Sequence, residues 1–296
     1  SSGPAMLGTY ESTGATLTFR PRFKLAAGEC YRATISTSAG TFQREYRVPR
    51  APLVKPAAVT AVFPTSAELP CNQLKFYVHF SRPMREGPAV FDRIKLLDDK
   101  GGEVEDPWRR TELWNEDATR LTLWIHPGRV KEGVNLRDEI GPVLEPDRNY
   151  TLVISEKVLD AEGRSLAGYQ KTFRTTAAVR AALDVRDWKL TAPKADTTNP
   201  FEVRFPRPLD HALLGRSLTV LDADGKPVAG AGAAGKGERS WSFAPERPWK
   251  PGAYTLRARE ALEDLAGNTL SRPFDLNLDA PARKGAPRER EFRIER

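Results

Sequence analysis

Three kinds of residue in this 296-residue chain could carry chemistry: a glycine-rich loop ending in lysine, the histidines, and carboxylates clustered in turns. The loop is the most pointed of them. Gly230-Ala231-Gly232-Ala233-Ala234-Gly235-Lys236-Gly237 reads as GxGxxG, and as a phosphate loop up to its last residue. A phosphate loop needs Ser or Thr after the lysine to reach magnesium, and a helix whose N-terminus faces the phosphates. Here Gly237 replaces the hydroxyl, and Glu238-Arg239-Ser240-Trp241-Ser242-Phe243 alternates like a strand. The spacing therefore predicts a hairpin connection of Ala and Gly.

His79, His126 and His211 are far apart, and neither cysteine belongs to a CxxC pair, so zinc spacing is absent. No GxSxG elbow, Ser-x-x-Lys or HExxH occurs to organise a nucleophile or a metal hydrolase. His79 alternates outward, because Phe76, Val78 and Phe80 share the opposite strand face. Each histidine is expected at the surface or in packing. The acidic turns Asp98-Asp99, Asp222-Ala223-Asp224-Gly225 and Glu263-Asp264 lack the full order of a calcium loop. Asp and Gly are also the residues hairpin turns select, for local hydrogen bonds and positive φ. The expectation is no catalytic residue, no cofactor and no metal.

Two pairs of residues invite a binding or covalent role. Trp108 and Trp114 lie between strands, where no repeat requires them. An exposed Trp pair can stack on a sugar ring or anchor a protein, and covering a sandwich end is the alternative. Cys30 and Cys71 stand at strand edges without an evident packing need. A disulfide between them would close a loop of about 41 residues and stabilise by roughly 3–4 kcal/mol. Two unpaired thiols are the other possibility.

Composition narrows the classes. The net charge is +7, but residues 279–296 hold six Lys/Arg against four Asp/Glu, and the remaining charge is interleaved. A nucleic-acid groove needs clustered basic residues with stacking aromatics, so no nucleic-acid partner is expected. No apolar run approaches the roughly 20 residues of a membrane span. The opening Ser1-Ser2-Gly3-Pro4 shows no export-signal pattern, as in a chain already trimmed.

The elements that must position these residues repeat three times. An alternating strand, a proline, a Leu or Trp step and a Tyr-centred strand occur in succession. The strands are Leu17-Thr18-Phe19, Leu121-Thr122-Leu123-Trp124-Ile125 and Trp241-Ser242-Phe243; the steps begin at Leu25, Leu144 and Trp249. The Tyr strands start at Tyr31, Tyr150 and Tyr254. Two copies share a longer frame: Phe76-Tyr77-Val78-His79-Phe80-Ser81-Arg82-Pro83-Met84 matches Phe201-Glu202-Val203-Arg204-Phe205-Pro206-Arg207-Pro208-Leu209. Asp160-Ala161-Glu162-Gly163, leading to Phe173, matches Asp264-Leu265-Ala266-Gly267, leading to Phe274. Short alternating strands between turn signals mark β-sandwiches.

The Phe-Ser-x-Pro-Met strand end, the Leu-x-x-x-Pro step and the Asp-x-x-Gly-x-x-Leu…Phe-Arg-Thr close resemble the bacterial Ig-like module first described in surface-layer proteins. The resemblance implies tandem modules of an exported bacterial protein and transfers no functional residue. The expected fold is all-β: tandem immunoglobulin-like sandwiches, two complete modules preceded by a partial one. The partial unit spans residues 1–50. A sandwich follows at 51–178, with a polar insertion near 129–146 that has room for a short helical turn, and another at 179–278. A charged, disordered tail is expected at 279–296. Short linkers favour a semi-rigid rod. The expected role is a non-catalytic extracytoplasmic spacer, adhesion or protein-interaction module, monomeric, contacting protein or a cell-wall component. Its alternative is a carbohydrate-binding accessory module of a larger secreted protein.

Overall fold

Alternating apolar residues become strands throughout, and the Pro and Gly steps become the turns between them. The computed structural model describes residues 5–23, 25, 29–49, 55–133, 135–275 and 285–296. Two units emerge, Ser1–Lys55 and Pro56–Arg296.

The first unit is built of hairpins. β1 (Gly8–Thr13) pairs antiparallel with β2 (Thr16–Pro21), and β3 (Cys30–Thr37) with β4 (Gly40–Arg47). Gly14 takes φ 60° and Gly40 φ 132°, conformations that the tight turns require and L side chains avoid. Direct pairing sets Tyr31 opposite Tyr46 and Ile35 opposite Phe42. Large apolar side chains of this unit, Tyr10, Leu17, Ile35, Phe42 and Tyr46 among them, are exposed.

The second unit holds two sandwiches. In the first, β5 (Val59–Phe63), β7 (Lys75–Phe80) and β9 (Arg120–Trp124) form one sheet. The facing sheet runs β6 (Glu68–Pro70), β11 (Tyr169–Thr176), β10 (Asn149–Ile154), β8 (Ile94–Leu97), with β6 parallel to β11. Phe76, Val78, Leu121, Leu123, Leu152 and Phe173 fill the space between them. The polar insertion forms two short helices, α1 (Pro127–Val130) and α2 (Asn135–Ile140). Buried Arg129 pins it, donating to the carbonyls of Gly141 and Pro142 just past α2 and to that of Glu105. Such donors satisfy the orphan carbonyls of a helix end.

The second sandwich opposes β12 (Lys189–Thr191), β13 (Phe201–Arg204), β16 (Ser240–Pro245) and β15 (Gly230–Ala234) to a sheet of β14 (Leu218–Leu221), β17 (Gly252–Ala258) and β18 (Glu289–Ile294). α3 (His211–Ser217) leads into β14. The expectation of a disordered tail is corrected here: Glu289–Ile294 is a strand paired along β17, with Ile294 buried. The first part of that expected tail, 279–284, lies outside the described residues. The strand alternates Arg290, Phe292, Ile294 inward, a face hidden in the sequence among its charges. Phe274 is accordingly not the counterpart of Phe173. That place belongs to Phe292, directly opposite Tyr254 as Phe173 is opposite Tyr150.

The internal repeat extends to individual hydrogen bonds. Asp160 accepts from the backbone N–H of Glu162 and Arg164, and Asp264 from those of Ala266 and Asn268. Both carboxylates are buried and ion-paired to the arginine of the Phe-x-x-Pro frame, Arg82 at 3.9 Å and Arg207 at 2.7 Å. Burial opposes ionisation of Asp160, yet the bonds from Arg164 outweigh it and hold the carboxyl below the usual range. The Tyr strands are tethered alike: the Tyr150 hydroxyl accepts from Glu145 N–H, and that of Tyr254 accepts from Lys250 N–H and also donates to the Lys250 carbonyl.

Candidate functional site

A cluster of polar and titratable side chains lies where the two sandwiches of Pro56–Arg296 meet. β7 sends Phe76, Val78 and Phe80 into its own core and Lys75, Tyr77 and His79 to the opposite face. Alternation alone predicts that this outward face meets solvent. It meets the second sandwich instead.

The Tyr77 hydroxyl donates to Asp210, lying 2.9 and 2.7 Å from its two carboxylate oxygens. Asp210 also accepts from Leu213 N–H at 3.0 Å, which caps α3. Lys75 completes the group, 2.7 Å from Glu263 and 3.6 Å from Asp210. Burial, then the Asp210 charge, pushes the Tyr77 phenol far above its ordinary range. It is a fixed donor at every physiological pH.

Beside this group three rings meet. Phe63 lies flat on His211 at 3.4 Å between centroids, and His79 meets His211 edge-on at 6.2 Å. His79 Nε2 and His211 Nδ1 have no hydrogen-bond partner. Burial lowers the pKa of both, with Arg120 adding to it for His79 and the neighbouring His79 for His211. Burial thus favours the neutral form of both rings.

The glycine-rich segment supplies a second contact. Its first five residues are strand β15, as a hairpin reading requires, and Gly232 lets the backbone lie against Trp241, where a Cβ would fall 2.5 Å from the indole. Gly237, at φ 67°, turns the chain so that Glu238 is buried and accepts from Thr65 N–H at 2.9 Å and Thr65 Oγ1 at 2.8 Å. Gly237 N–H in turn donates to Thr65 Oγ1 at 3.2 Å. The loop grips a threonine of the neighbouring sandwich. Burial raises the Glu238 pKa, against the two bonds from Thr65.

The connecting segment is clamped from both sides. Asn72 Nδ2 donates to the Val179 carbonyl at 2.8 Å, and Val179 N–H returns a bond to Asn72 Oδ1 at 2.9 Å. Asn268 Nδ2 donates to the same carbonyl, and Leu74 N–H to Leu265 O, both at 2.9 Å. Leu265 and Phe274, from the second sequence copy, pack on the core of the first sandwich. The junction is therefore hydrogen-bonded and packed from both sandwiches.

The residues singled out by sequence fall elsewhere. Trp108 is a core residue, 3% exposed, its Nε1 donating to Ile94 O at 2.9 Å and its ring edge-on to Phe76. It has no free face for a sugar. Trp114 is half-buried, tilted against Phe80, with Nε1 3.3 Å from Glu112. Cys30, in the first unit, is exposed, and Cys71, in the second, is half-buried. His126 caps α1, its Nδ1 accepting from Gly128 N–H at 3.2 Å. Among the described residues no three His, Cys, Asp or Glu stand together as a metal site. No helix among them is long and apolar enough to cross a membrane. Sequence reasoning missed Tyr77, Asp210, Thr65 and Glu238. A signal existed in β7, whose outward face carries Tyr and His where a solvated face ordinarily carries flexible charges.

The fold is a tandem β-sandwich. No protein-family model matches the chain, and no curated protein matches it. Among solved structures it is similar to the S-layer protein rSbsC(31-844), with 13% identity and a TM-score of 0.28 over 69% of this chain and 24% of that one. The N-terminal part of the bacterial S-layer protein SbsC gives 14% identity and a TM-score of 0.29, covering 69% and 41%. Domains MG0-NIE-MG1 of Escherichia coli alpha-2-macroglobulin give 13% and 0.28, covering 70% and 67%. The chain thus spans about a quarter of the length of the first of these.

Proposed function

We propose that this chain is a non-catalytic extracytoplasmic structural module, in which Pro56–Arg296 acts as a rigid two-sandwich spacer that presents its surfaces to protein partners. One observation carries the reading: the groups best able to do chemistry are consumed in joining the sandwiches. Tyr77, Lys75, Asp210 and Glu263 form one buried or half-buried network, and Glu238 spends its carboxylate on Thr65. Charged hydrogen bonds of this kind contribute about 1.5–3 kcal/mol each, and a side chain so engaged is held in one rotamer. A flexible tandem would not bury them. The extracytoplasmic setting rests on the sequence resemblance to the bacterial Ig-like module. The carbohydrate-binding alternative loses the Trp pair it needed, since Trp108 lies in the core.

Paired spin labels, one on the exposed Arg174 of the first sandwich and one on the exposed Glu246 of the second, test the reading by pulsed dipolar spectroscopy. A single narrow distance distribution is expected, broadening in Asp210→Ala. A broad distribution in the unaltered chain would refute the spacer.

A further inference from the structure

The two sandwiches share one frame, so each residue at their junction has a counterpart on the sandwich across from it. Backbone hydrogen bonds fix the correspondence on one side. Met84 N–H donates to the Ala118 carbonyl and Leu209 N–H to that of Glu238, at 2.9 and 3.0 Å. The next residues, Arg85 and Asp210, donate to the Leu159 and Glu263 carbonyls, at 2.9 and 2.8 Å. Arg85 and Glu86 therefore stand where Asp210 and His211 stand in the second sandwich, and Leu159 stands where Glu263 does. Strand register fixes the other side: Tyr77 and His79 lie opposite Thr122 and Arg120, as Glu202 and Arg204 lie opposite Ser242 and Ser240. Glu202 and Arg204 thus take the places of Tyr77 and His79, and Pro200, just ahead of β13, that of Lys75.

Transposed to these counterparts, every contact of the junction becomes another complementary one. Tyr77 with Asp210 becomes Glu202 with Arg85, and His79 with His211 becomes Arg204 with Glu86. Lys75 with Glu263 becomes Pro200 with Leu159. Two opposite-charge pairs and one apolar pair result, although no contact within either sandwich requires them.

Both halves of the transposed contact are open. Arg85, Glu86, Glu202 and Arg204 are all exposed, and among the described residues none of their side chains has an ion pair or a hydrogen bond. The wall of a cavity of about 90 Å³ includes Arg85, Glu86 and Leu159, so this edge is concave. On β16, the residues directly opposite Glu202 and Arg204 are the small Ser242 and Ser240.

We propose that the chain associates head to tail with a second copy of itself, in the manner in which its own two sandwiches join. The Arg85, Glu86 and Leu159 edge of one copy seats on the outward face of β13 in the other, pairing Arg85 with Glu202 and Glu86 with Arg204. Each copy then keeps one half of the contact free, so the interface is heterologous and repeats along a row. Charge pairs at such a rim set register and encounter rate, and salt weakens them. The association draws on the contacts of the junction and not on its rigidity, so it stands or falls apart from the spacer role.

Sedimentation of the full chain at rising concentration, up to about 1 mM, tests it. Association that grows with concentration and weakens with added salt is expected. Arg85→Glu alone and Glu202→Arg alone should each weaken it about tenfold, since each sets like charges against each other. Mixing these two variants should restore it, because each then presents the charge that the other lacks. Glu86→Arg and Arg204→Glu form a second such pair, should either of the first two variants misfold. A chain that stays monomeric throughout would overturn the proposal. So would association that no charge reversal reduces, or reversals that both dissociate the copies yet fail to complement on mixing.

Discussion

The Tyr77 hydroxyl and the Asp210 carboxylate, 2.7 Å apart at their closest, join the middle of one sandwich's strand to the helix cap of the other. Each residue is nearly inaccessible, so neither can exchange its partner for water. The consequence is thermodynamic coupling between two modules that resemble beads in sequence.

Tyr77→Phe should cost about 1.5–3 kcal/mol of stability, the worth of a hydrogen bond to a buried charge. Urea unfolding followed by tryptophan fluorescence measures it. A double-mutant cycle with Asp210→Ala should return a coupling of at least about 0.5 kcal/mol, as for residues in one network. Additive effects would show that the two groups act separately.

Acid should loosen the same junction. His79 and His211 have folded pKa values below their ordinary value, so the unfolded chain binds protons more readily. Stability from this pair is fully present above about pH 6.5, the ordinary histidine value, and falls as pH drops below it toward the lowered folded values. His79→Phe with His211→Phe should flatten that part of the pH profile of Tm. A slope unchanged by the double substitution between about pH 6.5 and 5 would exclude the pair as its source.

Thr65→Val removes the hydroxyl that donates to the Glu238 carboxylate and leaves the backbone donor in place. A loss of about 1–3 kcal/mol is expected, since the buried carboxylate keeps an unmet oxygen. Glu238→Gln in the Thr65→Val background should recover part of the loss, because an amide is cheaper to bury than a charge. Thermal unfolding of the three variants decides it.

Phe292→Ala should destabilise by about 3–5 kcal/mol, as a large-to-small change within a packed aromatic cluster does. The substitution removes the ring that stacks on Phe201 at 4.0 Å and on Tyr254 at 5.6 Å. If the tail beyond residue 285 were only an appendage, this change would leave Tm where it was.

Thiol labelling distinguishes the two cysteines. Cys30 is exposed, while burial raises the Cys71 thiol pKa and shields it. A maleimide should modify Cys30 promptly and Cys71 slowly, without added reductant. Two residues that label only after reduction would mean that they are bonded to each other.

The all-β class, the sandwich repeat and the turn positions were legible because period-two alternation, Pro steps and Asp-x-x-Gly closes are local properties of a chain. The hairpin reading of the glycine-rich segment was legible for the same reason: the strand alternation that follows it is visible in a few residues. Alternation also divides each strand into two faces without saying what lies across either one. The face bearing Lys75, Tyr77 and His79 therefore reads as solvated, and only the approach of α3 makes it an interface. Strand partners far apart in sequence are invisible for a related reason. β18 passes for a charged tail because its pairing with β17 spans residues 252–294, and Phe274 passes for a strand residue although it packs on the other sandwich. Local sequence determined which segments are strands and where they turn. Tertiary structure alone decided which outward faces are buried together, because that depends on the other surface that desolvates each polar group and pairs with it.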